Sequence, residues 1–137
     1  MQKISGFGGY FFRAKDPEGL SKWYEKNFGI NAMNSTEIWM QQAGPTVFAP
    51  FPQDTDYFAS PLQQAMVNFR VNDLDAMLEQ LKTNGVRIDE ERIEDSVGKF
   101  ASVYDPEGNK IELWEPTDAS HWKDTSHEKI KDLGDKI

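Results

Sequence analysis

Phe12-Arg13-Ala14-Lys15-Asp16 returns 57 positions later as Phe69-Arg70-Val71-Asn72-Asp73, sharing Phe-Arg-x-x-Asp. Both copies sit in the same context. A strand-like stretch ends in each copy, Tyr10-Phe11-Phe12 in the first and Met66-Val67-Asn68-Phe69-Arg70-Val71 in the second, with residues that suit a pleated surface. A helix pattern follows each. In the first, Asp16 can cap, Pro17 takes the first helical position, Leu20, Trp23 and Tyr24 fall at i, i+3 and i+4, and Gly29 is the stop. In the second, Leu74, Met77, Leu78 and Leu81 repeat at helical spacing until Gly85. The spacing predicts two amphipathic helices of about three turns each.

After each helix the apolar period shortens toward two. The first half then offers Glu37-Ile38-Trp39-Met40 and Thr46-Val47-Phe48-Ala49 as strands, joined by Ala43-Gly44-Pro45. The second offers Val86-Arg87-Ile88, an acidic stretch from Asp89 to Asp95 read as a solvated loop, then Phe100–Tyr104 and Lys110–Trp114. Asp105-Pro106-Glu107-Gly108 has Pro at i+1 and Gly at i+3 of a turn, which predicts a hairpin between the last two. Each half thus reads as strand, helix and about three strands, with Gln53 to Gln64 as connector. From Thr117 onward the chain is polar, and Thr125-Ser126-His127-Glu128 fits the capping box of a short C-terminal helix.

Composition narrows the function. The 137 residues are 38% hydrophobic and 28% charged, the profile of one globular domain. Zero cysteines exclude a disulfide scaffold, a thiolate metal site and a cysteine nucleophile, and fit a cytoplasmic home. A net charge of −8 repels phosphate backbones and anionic membranes, so nucleic acid is not an expected partner. Met1 to Gly6 lacks the apolar core of a signal peptide, and no apolar run reaches the roughly 18 residues of a membrane span, so no membrane association is expected.

The paired halves, the helix end Trp23-Tyr24-x-x-x-Phe28-Gly29 and the closing Asp105-Pro106-Glu107-Gly108-Asn109-Lys110-Ile111-Glu112-Leu113-Trp114-Glu115-Pro116 together resemble the vicinal oxygen chelate superfamily of glyoxalases, bleomycin resistance proteins and extradiol dioxygenases. The resemblance covers residues 4–116. It implies an α+β fold of two βαβββ modules, 1–59 and 60–116, forming a curved mixed sheet around a cavity with helices on the convex side, followed by the tail 117–137. It also implies a homodimer. Metal enzymes of this family hold one divalent ion with His, Glu or Gln from the first and last strands of each module. Here those positions fall on Gly9, on Phe48 or Ala49, on Met66 and on Glu112. One carboxylate does not hold a divalent ion, since such sites need three or more protein ligands. No metal or other cofactor is therefore expected, a divalent metal being the alternative. His121 and His127 lie beyond the last strand.

Strand parity then sorts the side chains. With Glu112 facing the cavity, Lys110 and Trp114 share its face, as do Gly9, Phe11 and Arg13, and Met66, Asn68 and Arg70. Tyr10, Phe12, Val67, Phe69, Val71, Ile111 and Leu113 then pack under the helices. Arg13 and Arg70 either clamp an anionic ligand or pair with an acid such as Glu112. Glu112 is either a remnant of the metal site satisfied by such an arginine or a catalytic general base. Trp39, Phe48, Phe51, Tyr57, Phe58 and Trp114 are either core or the aromatic wall of a pocket. The expected substrate-binding set is thus Phe11, Arg13, Trp39, Phe48, Tyr57, Phe58, Asn68, Arg70 and Trp114. The leading expectation is a metal-independent protein that binds a small organic molecule, with or without acid-base turnover. The alternatives are a metal-dependent lyase or dioxygenase built from Glu112, Gln64 and a partner subunit, and a non-catalytic interaction module filled by its own aromatics.

Overall fold

The structure, a computed structural model, describes residues 1–30 and 38–118. Helix α1 spans Pro17–Phe28 and helix α2 spans Leu74–Thr83. The repeated aspartates cap them. Asp16 accepts from the Gly19 N–H at 3.0 Å and Asp73 from the Ala76 N–H at 3.0 Å, each satisfying an amide that the first helical turn leaves without a partner. Gly29 ends α1 at φ 69°, the left-handed conformation open to glycine. Glu115 adds a bond to the start of α2, accepting from the Leu74 N–H at 2.9 Å.

Four strands form one mixed sheet in the order β1-β4-β3-β2: β1 Asn68–Arg70, β2 Arg87–Asp95, β3 Gly98–Tyr104 and β4 Lys110–Pro116. Strand β1 runs parallel to β4, and the β2–β3 and β3–β4 pairs are antiparallel. The hairpin register sets Ala101 opposite Leu113 and Val103 opposite Ile111. These four, with Leu20, Tyr24, Leu74 and Leu81 of the helices, are the buried core. One face of the sheet therefore lies under α1 and α2, as the alternation in β4 requires. At their C-terminal ends the helices are joined by polar contacts. Buried Asn27 accepts from Asn84 Nδ2 at 3.1 Å and donates to the Trp23 carbonyl, and its own carbonyl accepts from Gln80 Nε2.

The Asp105–Gly108 turn connects the halves. The buried Asp105 carboxylate accepts from the Glu107 N–H (2.9 Å), the Asn109 N–H (3.0 Å), Asn109 Nδ2 (2.7 Å) and the Tyr24 hydroxyl (2.8 Å) of α1. Glu107 accepts from the Lys15 and Asp16 N–H groups ahead of α1. One hairpin thus shapes itself and docks the first-half helix on the second-half sheet.

Three expectations are corrected. The acidic stretch Asp89 to Asp95 belongs to strand β2, with an irregularity in pairing between Ile88 and Arg92. It is an edge strand, where charged side chains reach water without cost and discourage further pairing. The second correction concerns Tyr10–Phe12, Ile38–Met40 and Thr46–Ala49, which form no strand among the described residues. Strand propensity is largely packing on neighbours, and these segments find no ladder partner among the described residues. They leave Phe11 at 93% and Phe48 at 85% exposure. The third concerns the partner of Glu112, described below. Glu37 and the expected C-terminal helix lie outside the described residues. Among those described, no helix is long and apolar enough to cross a membrane.

Candidate ligand-binding site

The face of the sheet away from the helices carries the polar chemistry. Register places Asn68 beside Glu112 and Arg70 beside Trp114 on β1, and Ser102 opposite Glu112, Phe100 opposite Trp114 and Tyr104 opposite Lys110 on β3. The aromatic Phe100 and Trp114 stack with centroids 5.8 Å apart and planes 4° off parallel. Trp114 is nearly fully buried and donates its indole N–H to the Val97 carbonyl at 2.9 Å. The backbone of Lys110 at the start of β4 is completed by a side chain. Gln63 donates to its carbonyl and accepts from its N–H, both at 3.0 Å, much as a neighbouring strand would.

Glu112 has two donors. Its Oε1 accepts from Asn68 Nδ2 at 2.7 Å, and its Oε2 accepts from the Tyr57 hydroxyl. This corrects the expected arginine partner. Burial, followed by the bond to Glu112 and its charge, holds the Tyr57 phenol well above the usual tyrosine range, so it stays protonated and donates. Lys110 Nζ lies 3.9 Å from the Tyr57 ring centroid and donates to the Tyr57 carbonyl at 2.5 Å. Tyr57, Glu91, Ile93, Phe100, Ala101 and Ser102 line a small depression of about 10 Å³, room for about one water. That is below the roughly 300 Å³ at which small-molecule pockets begin.

The other expected residues divide. Arg70 points along the sheet face into the 42–46 turn, donating to the carbonyls of Pro45 (2.7 Å) and Gln42 (2.5 Å) and to Thr46 Oγ1 (2.9 Å). The chain approaches closely there. A Cβ on Gly44 would lie 2.9 Å from Arg70 Nε. Arg13 is exposed and belongs to no strand. Phe58 is half-buried against Phe51, 5.3 Å between centroids, and Phe51 also stacks on Tyr57. Trp39 meets Phe69 edge-on, on the helix side of the sheet. Phe11 and Phe48 project outward, Phe48 touching Phe7. The structure therefore brings Tyr57, Asn68, Glu112 and Trp114 to one face with Arg70 at its rim, and leaves Phe11, Trp39 and Phe48 apart from them. Ser102, Gln63, Ile93 and Phe100 join the site without having been expected. Ser102 was within reach of sequence, since a hairpin turning at Asp105–Gly108 sets it opposite Glu112.

Arg70→Met is expected to lower stability by about 2 kcal/mol, because three hydrogen bonds from a charged donor to the 42–46 turn are lost. Adding Glu112→Gln should restore none of it, since Glu112 is bound elsewhere. Chemical denaturation of both proteins is the check.

The positions at which the superfamily's metal enzymes carry ligands do not form a donor set here. Gly9 and Phe48 or Ala49 lie in segments without a strand, Met66 offers a thioether, and Glu112 is hydrogen-bonded as described. Among the described residues no three His, Cys, Asp or Glu side chains cluster as a metal site.

The fold and this sheet face define the class. The model of the Glyoxalase/Bleomycin resistance protein/Dioxygenase superfamily matches residues 6–113, and the chain belongs to that superfamily. No curated protein matches it. Among solved structures it is similar to TnmS3, an antibiotic binding protein from Streptomyces sp. CB03234. Identity is 24% and the TM-score 0.58, over 85% of this chain and 100% of that one. It is similar also to a structure from the mobile metagenome of V. Pseudocholerae, at 24% identity and TM-score 0.56, over 86% of this chain and 99% of the other. At this identity the likeness establishes a shared fold.

Proposed function

We propose that the chain binds a small organic molecule on the Asn68–Glu112–Ser102 face of its sheet, without a metal ion, as a homodimer. The observation that carries the reading is the environment of Glu112. The one carboxylate left at the superfamily's ligand positions accepts hydrogen bonds from a phenol and an amide rather than being grouped with other metal donors. Such an acceptor beside the Phe100–Trp114 stack and Ile93 offers a ligand one polar anchor on an apolar wall, the usual composition of a small-molecule site. Similarity of fold to an antibiotic binding protein agrees with this. The dimer rests on the apolar surface of the first half. Phe11, Val47 and Phe48 are 93%, 68% and 85% exposed, which a soluble chain covers best with a second copy.

The test combines three readouts on one preparation expressed in metal-supplemented medium. Elemental analysis should find less than stoichiometric Zn, Ni, Mn or Fe. Sedimentation at micromolar concentration should give twice the 15.7 kDa chain mass. Thermal melts against a panel of neutral and anionic aromatic compounds should show stabilisation that persists in chelator. One tightly held metal per chain, with ligand stabilisation lost in chelator, would favour the metal-dependent lyase or dioxygenase reading instead.

A further inference from the structure

The connector that crosses the sheet face is attached to it almost entirely through one residue. From Phe51 to Leu62 the chain has neither helix nor strand. Its hydrogen bonds to more distant parts of the described chain all run through Tyr57, by its hydroxyl to Glu112 and Ser102 and by its carbonyl to Lys110 Nζ. The bonds at Thr55, Leu62 and the Gln63 N–H are local turns. The contacts Tyr57 makes are those a ligand would need. A hydroxyl donates to a carboxylate whose other oxygen is already held by Asn68, the Ser102 hydroxyl stands beside it, and the ring faces an ammonium at 3.9 Å. With Tyr57 in place, the remaining depression of about 10 Å³ has no room for an organic ligand.

We propose that Tyr57 is an internal stand-in for the ligand, and that the molecule taken up is a neutral hydroxyl-bearing aromatic, a phenol in the broad sense, that displaces it. The incoming hydroxyl donates to Glu112, and the ring takes the place facing Lys110 and extends toward Ile93 and Phe100. The connector swings away, losing the attachments at Tyr57, while Gln63 keeps its hold on β4. A carboxylate ligand is disfavoured, because its charge would meet Glu112. This inference rests on the small-molecule reading above and specifies it.

The probe pair is 2-naphthol and 2-methoxynaphthalene, equal in ring system and different in the donor. Binding is measured by fluorescence titration at neutral pH to the wild type, Tyr57→Phe, Tyr57→Ala and Glu112→Gln. Both Tyr57 variants should bind 2-naphthol at least about tenfold more tightly than the wild type, since removing the internal competitor's hydrogen bond is worth a factor of that order. The methoxy compound should gain less, and Glu112→Gln should erase most of the preference for the naphthol. Tyr57→Phe keeps the ring and so keeps the test valid if Tyr57→Ala folds poorly. Equal binding of both compounds to every protein would overturn the assignment while leaving a small-molecule site standing. Tight binding to wild type with no gain on Tyr57 replacement would also overturn it. Failure of every protein to bind either compound, or any neutral aromatic of the panel, would overturn this inference together with the reading beneath it.

Discussion

Asp105→Ala is expected to lower the free energy of unfolding by about 3 kcal/mol or more, because four donors lose one buried acceptor. The Glu107 and Asn109 N–H groups shape the turn, Asn109 Nδ2 braces it, and the Tyr24 hydroxyl ties α1 to it. Tyr24→Phe removes only the last of these and should cost about 1 kcal/mol. Urea denaturation with an unchanged m-value is the measure. The same bond has a signature in alkali. Burial, reinforced by the Asp105 charge, raises the Tyr24 phenol above its ordinary value. A group whose folded pKa exceeds its unfolded one favours folding fully below the unfolded value of about 10, and that contribution is lost as pH rises beyond it. Stability should therefore fall above pH ~10 in the wild type, and less steeply in Tyr24→Phe. A flat profile would mean that the phenol ionises freely.

Gly98→Ala should cost about 3 kcal/mol, combining backbone strain with a clash. Gly98 opens β3 at φ 141°, a conformation that L side chains rarely adopt. A Cβ there would overlap the Glu115 carbonyl oxygen and lie 2.7 Å from Trp114 Nε1. Relief would require parting Gly98 from Pro116 at the end of the β3–β4 ladder, and would disturb the Trp114 indole that backs the Phe100 stack. Gly85→Ala is the internal comparison. Its φ of 75° is also positive, but nothing lies within 4 Å of its Cβ position, so it should cost roughly 1 kcal/mol. Equal losses for the two would remove the packing half of the argument.

The signals that proved legible in the sequence were local and doubly marked. Asp16 with Pro17 and Gly29, and Asp73 with the Leu74–Leu81 stripe, each supplied a cap, a period and a stop, and both helices formed there. The Asp105–Gly108 turn fixed the hairpin register and with it the two faces of β4. The Asp89–Asp95 part of edge strand β2 was missed because charge on a solvent-facing strand looks like charge on a loop when only the pattern is read. The first-half segments misled for the opposite reason. Their aromatic, β-branched composition reports readiness to pair, whereas pairing needs a neighbour that a linear pattern does not supply. At the site, parity found Glu112, Asn68 and Trp114. The Tyr57–Glu112 bond joins residues 55 positions apart through an irregular connector, and no periodicity carries that information. Arg70 donates to two backbone carbonyls and the Thr46 hydroxyl of the 42–46 segment, partners that side-chain pairing rules do not reveal.

The measurement that bears most directly on the central claim is an amide chemical-shift map of the protein in chelator, titrated with the tightest aromatic compound from the melting panel. The account predicts that the largest perturbations fall on Asn68, Ser102, Glu112 and the Tyr57 connector, with saturation unaffected by chelator. Perturbations centred on the solvent faces of α1 and α2, or binding that appears only when a divalent metal is restored, would contradict it.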